Sequence, residues 1–312
     1  MLSVVMAVHN GSRTLPLTLG TFEGLHLPDT GVEFIVVDNA STDDTAAILQ
    51  SFQNTIPLRL LHEPVPGRSR ALNRGVAVAQ GDLVIFTDDD VLPDSQWLLA
   101  FRDAARTHPD VDIFGGQVRH YWQKTPPRWL KRLAAEGLSY GGTPEDQPAG
   151  PADPKDVKGA NLAVRRRVFD SITLREDVGY GASGEMIAGD ETDFVRRARE
   201  AGHKAWFIPE ARLRHIVRPH EVALKPVLRR YFRIGRGMAA INPASHPKNP
   251  HRLFGYPRHL YRAIPTRTLK AIMQLLKLDT YKFAKGLIHI SMMVGHAYQV
   301  KAMGNEGRKL KT

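Results

Sequence analysis

The stretch GDLVIFTDDDV, Gly81–Val91, places three carboxylates directly after an apolar run. Residues 83–86 form the continuous β-rich run that is typical of a strand buried on both faces. Asp88, Asp89 and Asp90 then put three like charges side by side, although repulsion and lost solvation both oppose this arrangement. A bound cation or a cationic ligand at the end of the strand would remove the conflict.

Strands and helices alternate on both sides of this stretch. Apolar strand-like runs cover residues 2–8, 33–38, 58–62 and 111–118. Helical patterns stand between them, and Ser41 or Thr42 is predicted to cap the helix that follows the second strand. This alternation predicts an α/β fold with a mostly parallel central sheet flanked by helices.

Polar side chains follow several of these strands. His9 and Asn10 come after the first strand, Asp38 closes the second, and the acidic triplet Asp88–Asp90 ends the strand at 83–87. Ligands of parallel sheets bind beyond the carboxyl ends of the strands. We therefore expect these residues to line one crevice.

The composition limits the kinds of functional site and segment that the chain can contain. The chain of 312 residues has no cysteine, which excludes disulfides, thiolate metal sites and a cysteine nucleophile and fits a reducing compartment. The N-terminus reads as a strand from its second residue and predicts no secretory signal. The longest apolar stretch, Gly286–Val300, is shorter than the ~20 residues that span a bilayer.

Charge is distributed unevenly along the chain. Residues 204–312 hold 22 Lys and Arg against 4 Asp and Glu, whereas residues 1–203 hold 21 against 28. This asymmetry predicts an acidic body with a basic region for an anionic partner. We place the boundary between this acidic body, catalytic or binding, at residues 1–218 and a basic helical extension at residues 219–312.

The extension has two amphipathic helical patterns. The first puts Leu224, Val227, Leu228, Tyr231 and Ile234 on one face and Lys225, Arg229, Arg230, Arg233 and Arg236 on the remainder. The second is predicted as one helix from about Thr268 to Val300. Two interpretations stay open: a subdomain that packs on the catalytic body, or shallow attachment to an anionic membrane surface. No nucleic-acid motif accompanies the charge, so no nucleic-acid partner is predicted.

Between the two regions, residues 123–156 are rich in Pro and Gly. Two interpretations are open here, a long mobile loop that acts as a lid and a disordered surface connection. The segment GYGASG, 179–184, matches G-x-G-x-x-G but follows no apolar strand, so it predicts a flexible glycine loop and no dinucleotide site.

The acidic residues have alternative explanations. Asp88 and Asp90 share a face in an Asp-Xaa-Asp pattern that suits Mg²⁺ or Mn²⁺, while a solvated acidic turn is the alternative. His215 is either a third ligand or a structural histidine. Asp190 and Glu191 open a helix, where they are either dipole-complementing acids or a general base.

Taken together, these segments resemble the family 2 glycosyltransferases, which have the GT-A fold. The resemblance covers roughly residues 2–217 and rests on five segments in order. They are SVVMAVHNG (3–11), FIVVDNASTDDT (34–45), GRSRALNRG (67–75), GDLVIFTDDDV (81–91), and GANLAVRR (159–166) followed by GDETDFVRRAREAG (189–202).

The resemblance implies roles for individual residues. Ala7, His9 and Asn10 would form the nucleotide-contacting turn, and Asp38 would contact the base, although Asp38 alone is more simply an Asx turn with Asn39 and Ser41. Arg68 and Asn73 would approach the nucleotide, together with Asp88 and Asp89. The cation would bind Asp88, Asp90 and His215. The resemblance therefore groups the implied nucleotide contacts and metal ligands around the carboxyl edge of the predicted sheet.

The chain departs from the family pattern in three places. Ala7-Val8-His9-Asn10 replaces Pro-Thr-Tyr-Asn, and Ala71-Leu72-Asn73 replaces Ala-Arg-Asn. Asp190-Glu191 replaces the usual Glu-Asp, so Glu191 stands in the position of the catalytic base beside Asp190.

The resulting expectation is a metal-dependent inverting glycosyltransferase of polysaccharide or glycolipid assembly. It would use a nucleotide-sugar donor and a saccharide or lipid-linked acceptor, with a divalent cation, Mg²⁺ or Mn²⁺, as cofactor. Its expected location is the cytoplasm, at the inner face of the plasma membrane. The alternatives are a nucleotidyltransferase that makes nucleotide-sugars and a non-catalytic basic adaptor of membranes or nucleic acid.

Overall fold

The computed structural model describes residues 1–180, 186–241, 252–253, 256–258 and 260–309. The chain divides into two compact units. The first comprises Met1–Gln123, Ala134–Gly184 and Asp190–Val217, and the second comprises Lys124–Leu133, Glu185–Gly189 and Arg218–Thr312. Gly181–Gly184 of the predicted glycine loop lie outside the described residues.

The first unit alternates strands and helices as the apolar runs predict. Its strands are β1 (Leu2–Val8), β2 (Val32–Asn39), β3 (Leu58–Glu63), β4 (Leu83–Thr87), β5 (Val91–Pro93), β6 (Ile113–Trp122), β7 (Gly150–Pro151), β8 (Leu162–Arg165), β9 (Gly179–Tyr180) and β11 (Ala205–Val217), with β10 (Met186–Ile187) in the second unit. Its helices are α1 (Leu15–Phe22), α2 (Thr45–Phe52), α3 (Arg68–Val78), α4 (Trp97–Thr107) and α6 (Asp190–Glu200), while most of α5 (Arg128–Ala135) belongs to the second unit.

Nine strands form one sheet in the order β3-β2-β1-β4-β8-β6-β11-β5, with β7 on β11. β1 pairs in parallel with β2 and β4, and β6 pairs in parallel with β11, while β8 runs antiparallel between β4 and β6. Because β1, β2 and β4 are parallel, their carboxyl ends meet at one edge. That edge carries the polar residues singled out in the sequence.

Two apolar layers cover the two faces of this sheet. One contains Phe34, Trp97, Phe101 and Phe114, and the other contains Phe86, Phe194 and Phe207. Burial on both faces explains why β1, β2 and β4 read as continuous apolar runs.

Asn161 is a fully buried polar residue inside this body. Its Nδ2 donates to the carbonyls of Gln117 (2.9 Å) and Ala211 (2.8 Å), and its Oδ1 accepts from Trp97 Nε1 at 2.7 Å. A Cβ at Gly116 would overlap the Asn161 amide. The side chain therefore ties β6, α4 and the bend of β11 together with its polar atoms satisfied.

Two local predictions were wrong. The segment 123–156 contains α5, in which Leu130 and Leu133 are fully buried, because apolar residues at helical spacing follow the prolines. Ser41 and Thr42 do not cap α2, which begins at Thr45 after Asp44. Elsewhere, residues 205–217 form the long strand β11, which has a register shift between Ile208 and Arg212.

The second unit contains α7 (Leu224–Ile241), β12 (Arg252–Leu253), β13 (Tyr256–Pro257), α8 (Leu260–Leu276) and α9 (Thr280–Lys309). The single helix predicted from Thr268 to Val300 is thus two helices. Leu278 adopts a left-handed conformation with φ +58°, and Asp279 Oδ1 then accepts the backbone N–H of Lys282 at 2.9 Å. Asp279 is therefore the N-cap residue of α9.

The prediction that Arg236 lies on the exposed basic face of α7 was also wrong. Arg236 is buried, and its Nε donates to Gln299 Oε1 at 3.0 Å. The reason is a close crossing of α7 and α9, where a Cβ on Gly235 or Gly295 would strike the backbone of the facing helix. Across the described ranges of the chain, no helix combines the length and apolarity that crossing a bilayer requires.

Candidate functional site

The loop after β1 is held by the loop after β2. Asn10 has φ +53° and Ala40 has φ +54°, a strained conformation for residues other than glycine. Asn10 accepts the Thr42 backbone N–H at 2.8 Å, and its own N–H donates to Ser41 Oγ at 3.0 Å. His9 Nδ1 lies 2.7 Å from the Asn39 carbonyl. Ser41 and Thr42 thus fix the predicted nucleotide-contacting turn.

Asp38 lies beside this turn. Its Oδ1 accepts the Ser41 backbone N–H at 3.2 Å, which is the Asx turn considered from the sequence. Its Oδ2 lies 3.5 Å from His62 Nδ1. Ala7 is half-buried in β1. The next residue, Val8, pairs with Asp38 of β2. A contact of Asp38 or Ala7 with a nucleotide base stays a prediction.

The three carboxylates of the acidic triplet point to three different places. β4 ends at Thr87, so the triplet lies in a turn and not on the strand. Asp88 Oδ1 accepts Arg68 Nη2 at 2.7 Å, and Asp90 Oδ1 lies 3.4 Å from His215 Nε2. The Asp89 carboxylate packs against Gly11, where a Cβ would overlap it. Divergence reduces the repulsion that the sequence implied.

Arg68, the first residue of α3, connects two acidic segments. Its Nη2 donates to Asp88 and its Nη1 donates to Asp190 Oδ2, both at 2.7 Å. Burial opposes its charge, but Asp88, Asp190 and Glu191 outweigh this effect and hold the pKa of Arg68 well above its usual range. A Cβ at Gly159 would lie 3.2 Å from Arg68 Nη2 and 3.4 Å from Glu191. A glycine there leaves room for the cluster.

Asp190 and Glu191 begin α6 within this cluster. Burial disfavours the Asp190 carboxylate, but the Arg68 guanidinium overcomes it and lowers the pKa of Asp190. Burial and the neighbouring charge of Asp190 raise the pKa of Glu191 from 4.5 to about 8. Glu191 keeps partial exposure. A half-buried carboxyl with a pKa near neutrality has the properties of a general base.

The raised pKa of Glu191 predicts how the glycosyl transfer implied by the resemblance would depend on pH. Only the deprotonated carboxylate accepts a proton, so we expect kcat/KM to rise as pH rises through about 8. Because the folded pKa lies above the unfolded one, the protonated carboxyl stabilises the fold below 4.5, and that contribution is lost as pH approaches 8. Transfer rates and urea unfolding of the wild type and of Glu191→Gln, measured across this pH range, check both the kinetic and the stability prediction. A profile that is flat in the wild type would contradict the assignment.

His215 lies on β11, where it pairs with Val91 of β5. Its Nε2 faces Asp90, and its buried Nδ1 has no hydrogen-bond partner. Carboxylate oxygens with a neutral imidazole are donors that suit Mn²⁺ or Mg²⁺. In the part of the chain that the structure describes, however, no three His, Asp or Glu side chains already form a cation site. The donor chemistry of Asp88, Asp90 and His215 fits a divalent cation, provided that Asp88 shares its oxygens with Arg68.

Asn73, a predicted nucleotide contact, and Arg197 of α6 are engaged elsewhere. Asn73 donates through Nδ2 to the Leu174 carbonyl at 2.9 Å and accepts the Leu174 N–H at 3.1 Å. Arg197 donates to the fully buried Asp193 and to the Thr173 carbonyl at 2.7 Å each. Both side chains anchor neighbouring segments, and a nucleotide role for Asn73 stays a prediction.

Sequence reasoning missed the bridge from Arg68 to Asp190. The two residues lie 122 positions apart, and no local pattern relates them. It also missed Gly159, the first residue of the segment GANLAVRR, because a glycine that makes room for a distant cluster has no local pattern.

The chain is similar to several known proteins. A family model described as "Glycosyl transferase family 2" matches residues 3–173, which is more than half of the chain. The chain is 27% identical over 242 residues to glycosyltransferase AglE of Haloferax volcanii, covering 77% of this chain and 73% of AglE. It is 25% identical over 222 residues to succinoglycan biosynthesis protein ExoM of Rhizobium meliloti, covering 70% and 68%.

Solved structures share the architecture. The mannosyltransferase PcManGT of Pyrobaculum calidifontis, solved in complex with GDP-Man and Mn²⁺, superposes with a TM-score of 0.60 at 20% identity over 95% of this chain and 86% of PcManGT. TarS 1-349 of Staphylococcus aureus superposes with a TM-score of 0.52 at 14% identity over 96% and 91%. The shared fold confirms the predicted GT-A type.

Proposed function

The chain belongs to glycosyl transferase family 2, and from this premise we propose that it transfers a sugar from a nucleotide-sugar donor to an acceptor hydroxyl with inversion of the anomeric centre. Glu191 deprotonates the acceptor hydroxyl. The turn that carries His9 and Asn10, with Asp38, receives the nucleotide. One displacement by the acceptor oxygen breaks the bond between the anomeric carbon and the diphosphate, and the proton goes to Glu191.

One observation carries this proposal. Glu191, whose pKa is raised to about 8, lies in the same cluster as Asp88, and Arg68 bridges Asp88 to its neighbour Asp190. The side chain that would take the proton is thus held beside the strand end that would face the diphosphate. General-base catalysis needs this proximity of base and reacting centre.

A divalent cation is part of the proposal. Asp88 and Asp90 would hold it, with His215 as a further donor, and PcManGT with its bound Mn²⁺ supports cation use in this fold. When bound, such a cation supplies Lewis-acid stabilisation of the charge that develops on the diphosphate. The guanidinium of Arg68 partly offsets the negative charge of the two acidic segments that it bridges.

The assembly of a polysaccharide or glycolipid is the proposed context. The name of ExoM, a succinoglycan biosynthesis protein, supports a saccharide acceptor. We place the reaction in the cytoplasm at an anionic membrane surface, where a lipid-linked acceptor would be met. Family membership disfavours both the nucleotidyltransferase and the non-catalytic adaptor.

Calorimetric titration with UDP-, GDP- and dTDP-sugars, with Mn²⁺ and with a chelator, tests donor and cation use. We expect one nucleotide class to bind in the presence of Mn²⁺. Asp88→Asn and Asp90→Asn should each weaken this binding at least about tenfold, the size of effect expected when a metal site is perturbed. Asp94→Asn, an exposed carboxylate just beyond β5, is the matched control. Equal donor affinity in Mn²⁺ and in chelator would exclude a role for the cation in donor binding. Failure of every donor to bind would overturn the proposed function.

A further inference from the structure

Helix α8 carries an apolar stripe that faces outward. Leu269, Ile272, Met273 and Leu276 follow the i, i+3, i+4, i+7 spacing of one helix face. Their exposed fractions are 61, 45, 47 and 78%. We call these four residues the outer stripe. In an amphipathic helix of a globular protein such a stripe normally faces the core, so its exposure requires an explanation.

The core-facing side of α8 is a different one. Ala271 is only 2% exposed, and a Cβ at Gly286 of α9 would lie 3.0 Å from the Ala271 Cβ. Helix α8 thus packs on α9 through small residues, which leaves the outer stripe directed away from that contact. Leu275 and Leu278, 43 and 87% exposed, extend the apolar surface into the turn before α9.

Cations lie beside the outer stripe. Lys270 and Lys277 are exposed on the same helix and its following turn. Arg267, Lys270 and Lys282 line a depression of about 410 Å³ between α8 and α9. Burial, followed by the charges of Arg267 and Lys285, lowers the pKa of His289, which is a second sign of concentrated positive charge. Residues 260–300 hold six Lys and Arg against one acid.

We propose that the outer stripe and its flanking cations dock this chain on the surface of an anionic phospholipid membrane. An apolar helix face with a basic border binds in the headgroup region, where leucine side chains enter the acyl boundary and Lys and Arg meet lipid phosphates. Charge complementarity favours a lipid surface over a second copy of this chain, because the same basic border on two copies would repel. The inference rests on the membrane location given under the proposed function and assigns the surface of the chain that makes the contact, but its test measures membrane binding and not transfer.

Vesicle flotation with the full chain tests this inference. We expect binding to vesicles that contain phosphatidylglycerol and little binding to phosphatidylcholine alone. Leu269→Ser with Leu276→Ser, and separately Lys270→Gln with Lys277→Gln, should each weaken binding at least about tenfold. Leu17→Ser with Leu27→Ser replaces two leucines in the first unit that are 47 and 50% exposed, and should bind like the wild type.

Several outcomes would overturn the inference. Equal binding to the two vesicle types, or wild-type binding by both the leucine and the lysine variants, excludes the outer stripe as a lipid-docking surface. A dimer in light scattering that the leucine variant dissociates, without any vesicle binding by the wild type, would assign the surface to a second copy. Thermal unfolding of each variant shows that the fold is retained. Since sugar transfer to a soluble acceptor is measured separately, loss of vesicle binding and loss of activity are distinguishable.

Discussion

Replacing Glu191 by glutamine is expected to lower sugar transfer by about 10²–10⁴-fold, the contribution of a general base, while donor binding is retained. Glutamine has nearly the same shape but accepts no proton from the acceptor hydroxyl. The acidic residues at the end of β4, which are proposed to face the diphosphate, are unchanged in this variant. Steady-state transfer rates and calorimetric donor affinities, measured on the same preparation, check both halves of the prediction.

Glu200→Gln is the matched control for this variant. Glu200 lies at the other end of α6, where it is exposed and pairs with Arg196 at 2.8 Å. Its replacement should leave turnover unchanged. Full turnover in Glu191→Gln would remove Glu191 from the mechanism, and loss of donor binding in that variant would show that its role is to bind and not to accept a proton.

Replacing Arg68 by methionine should affect both stability and activity. The variant leaves Asp88, Asp190 and Glu191 together without the guanidinium that bridges two of them. Removing one partner of a buried ion pair costs about 3–5 kcal/mol in the free energy of unfolding, and because the side chains of Arg68 and Asp88 stay 21 and 27% exposed, the cost here lies at the lower end of that range. We expect a loss of that order and transfer reduced by about 100-fold or more, because the base and the strand end are no longer held together. Urea unfolding and transfer assays measure the two effects.

Three further variants make the Arg68 prediction specific. Arg68→Lys keeps the charge but lacks the planar fork that reaches two carboxylates, so it should be intermediate. Asp190→Asn combined with Arg68→Met should recover part of the stability, because one buried charge is neutralised. Arg70→Met removes an exposed pair with Glu176 and should cost under about 1 kcal/mol. If Arg68→Met and Arg70→Met behaved alike, the bridge would have no energetic role.

The positions of the main strands along the chain, and the sheet edge at which the candidate site lies, follow from local sequence. Strands buried on both faces are apolar along their whole length, so β1, β2 and β4 are visible without any alignment. Polar residues directly after such strands lie at the carboxyl edge of a parallel sheet. His9, Asp38 and the acidic triplet therefore fall on one edge, as the pattern of residues implied.

The remaining features depend on tertiary contacts that no local pattern contains. Arg68 meets Asp190 because α3 and α6 are brought together across 122 residues. Arg236 belongs to the charged face of α7 by periodicity, yet the glycines of the helix crossing bury it. The break at Leu278 occurs without a glycine or proline, through a left-handed leucine that costs backbone energy.

Asn161 has a practical consequence for protein engineering. Its amide fixes the spacing of β6, α4 and β11 through three hydrogen bonds, and Gly116 leaves room for it. A library that aims to change sugar preference should therefore keep this asparagine and this glycine constant. Diversity belongs in loops that carry neither these hydrogen bonds nor the contacts of Asn10 with Ser41 and Thr42 that hold the turn after β1.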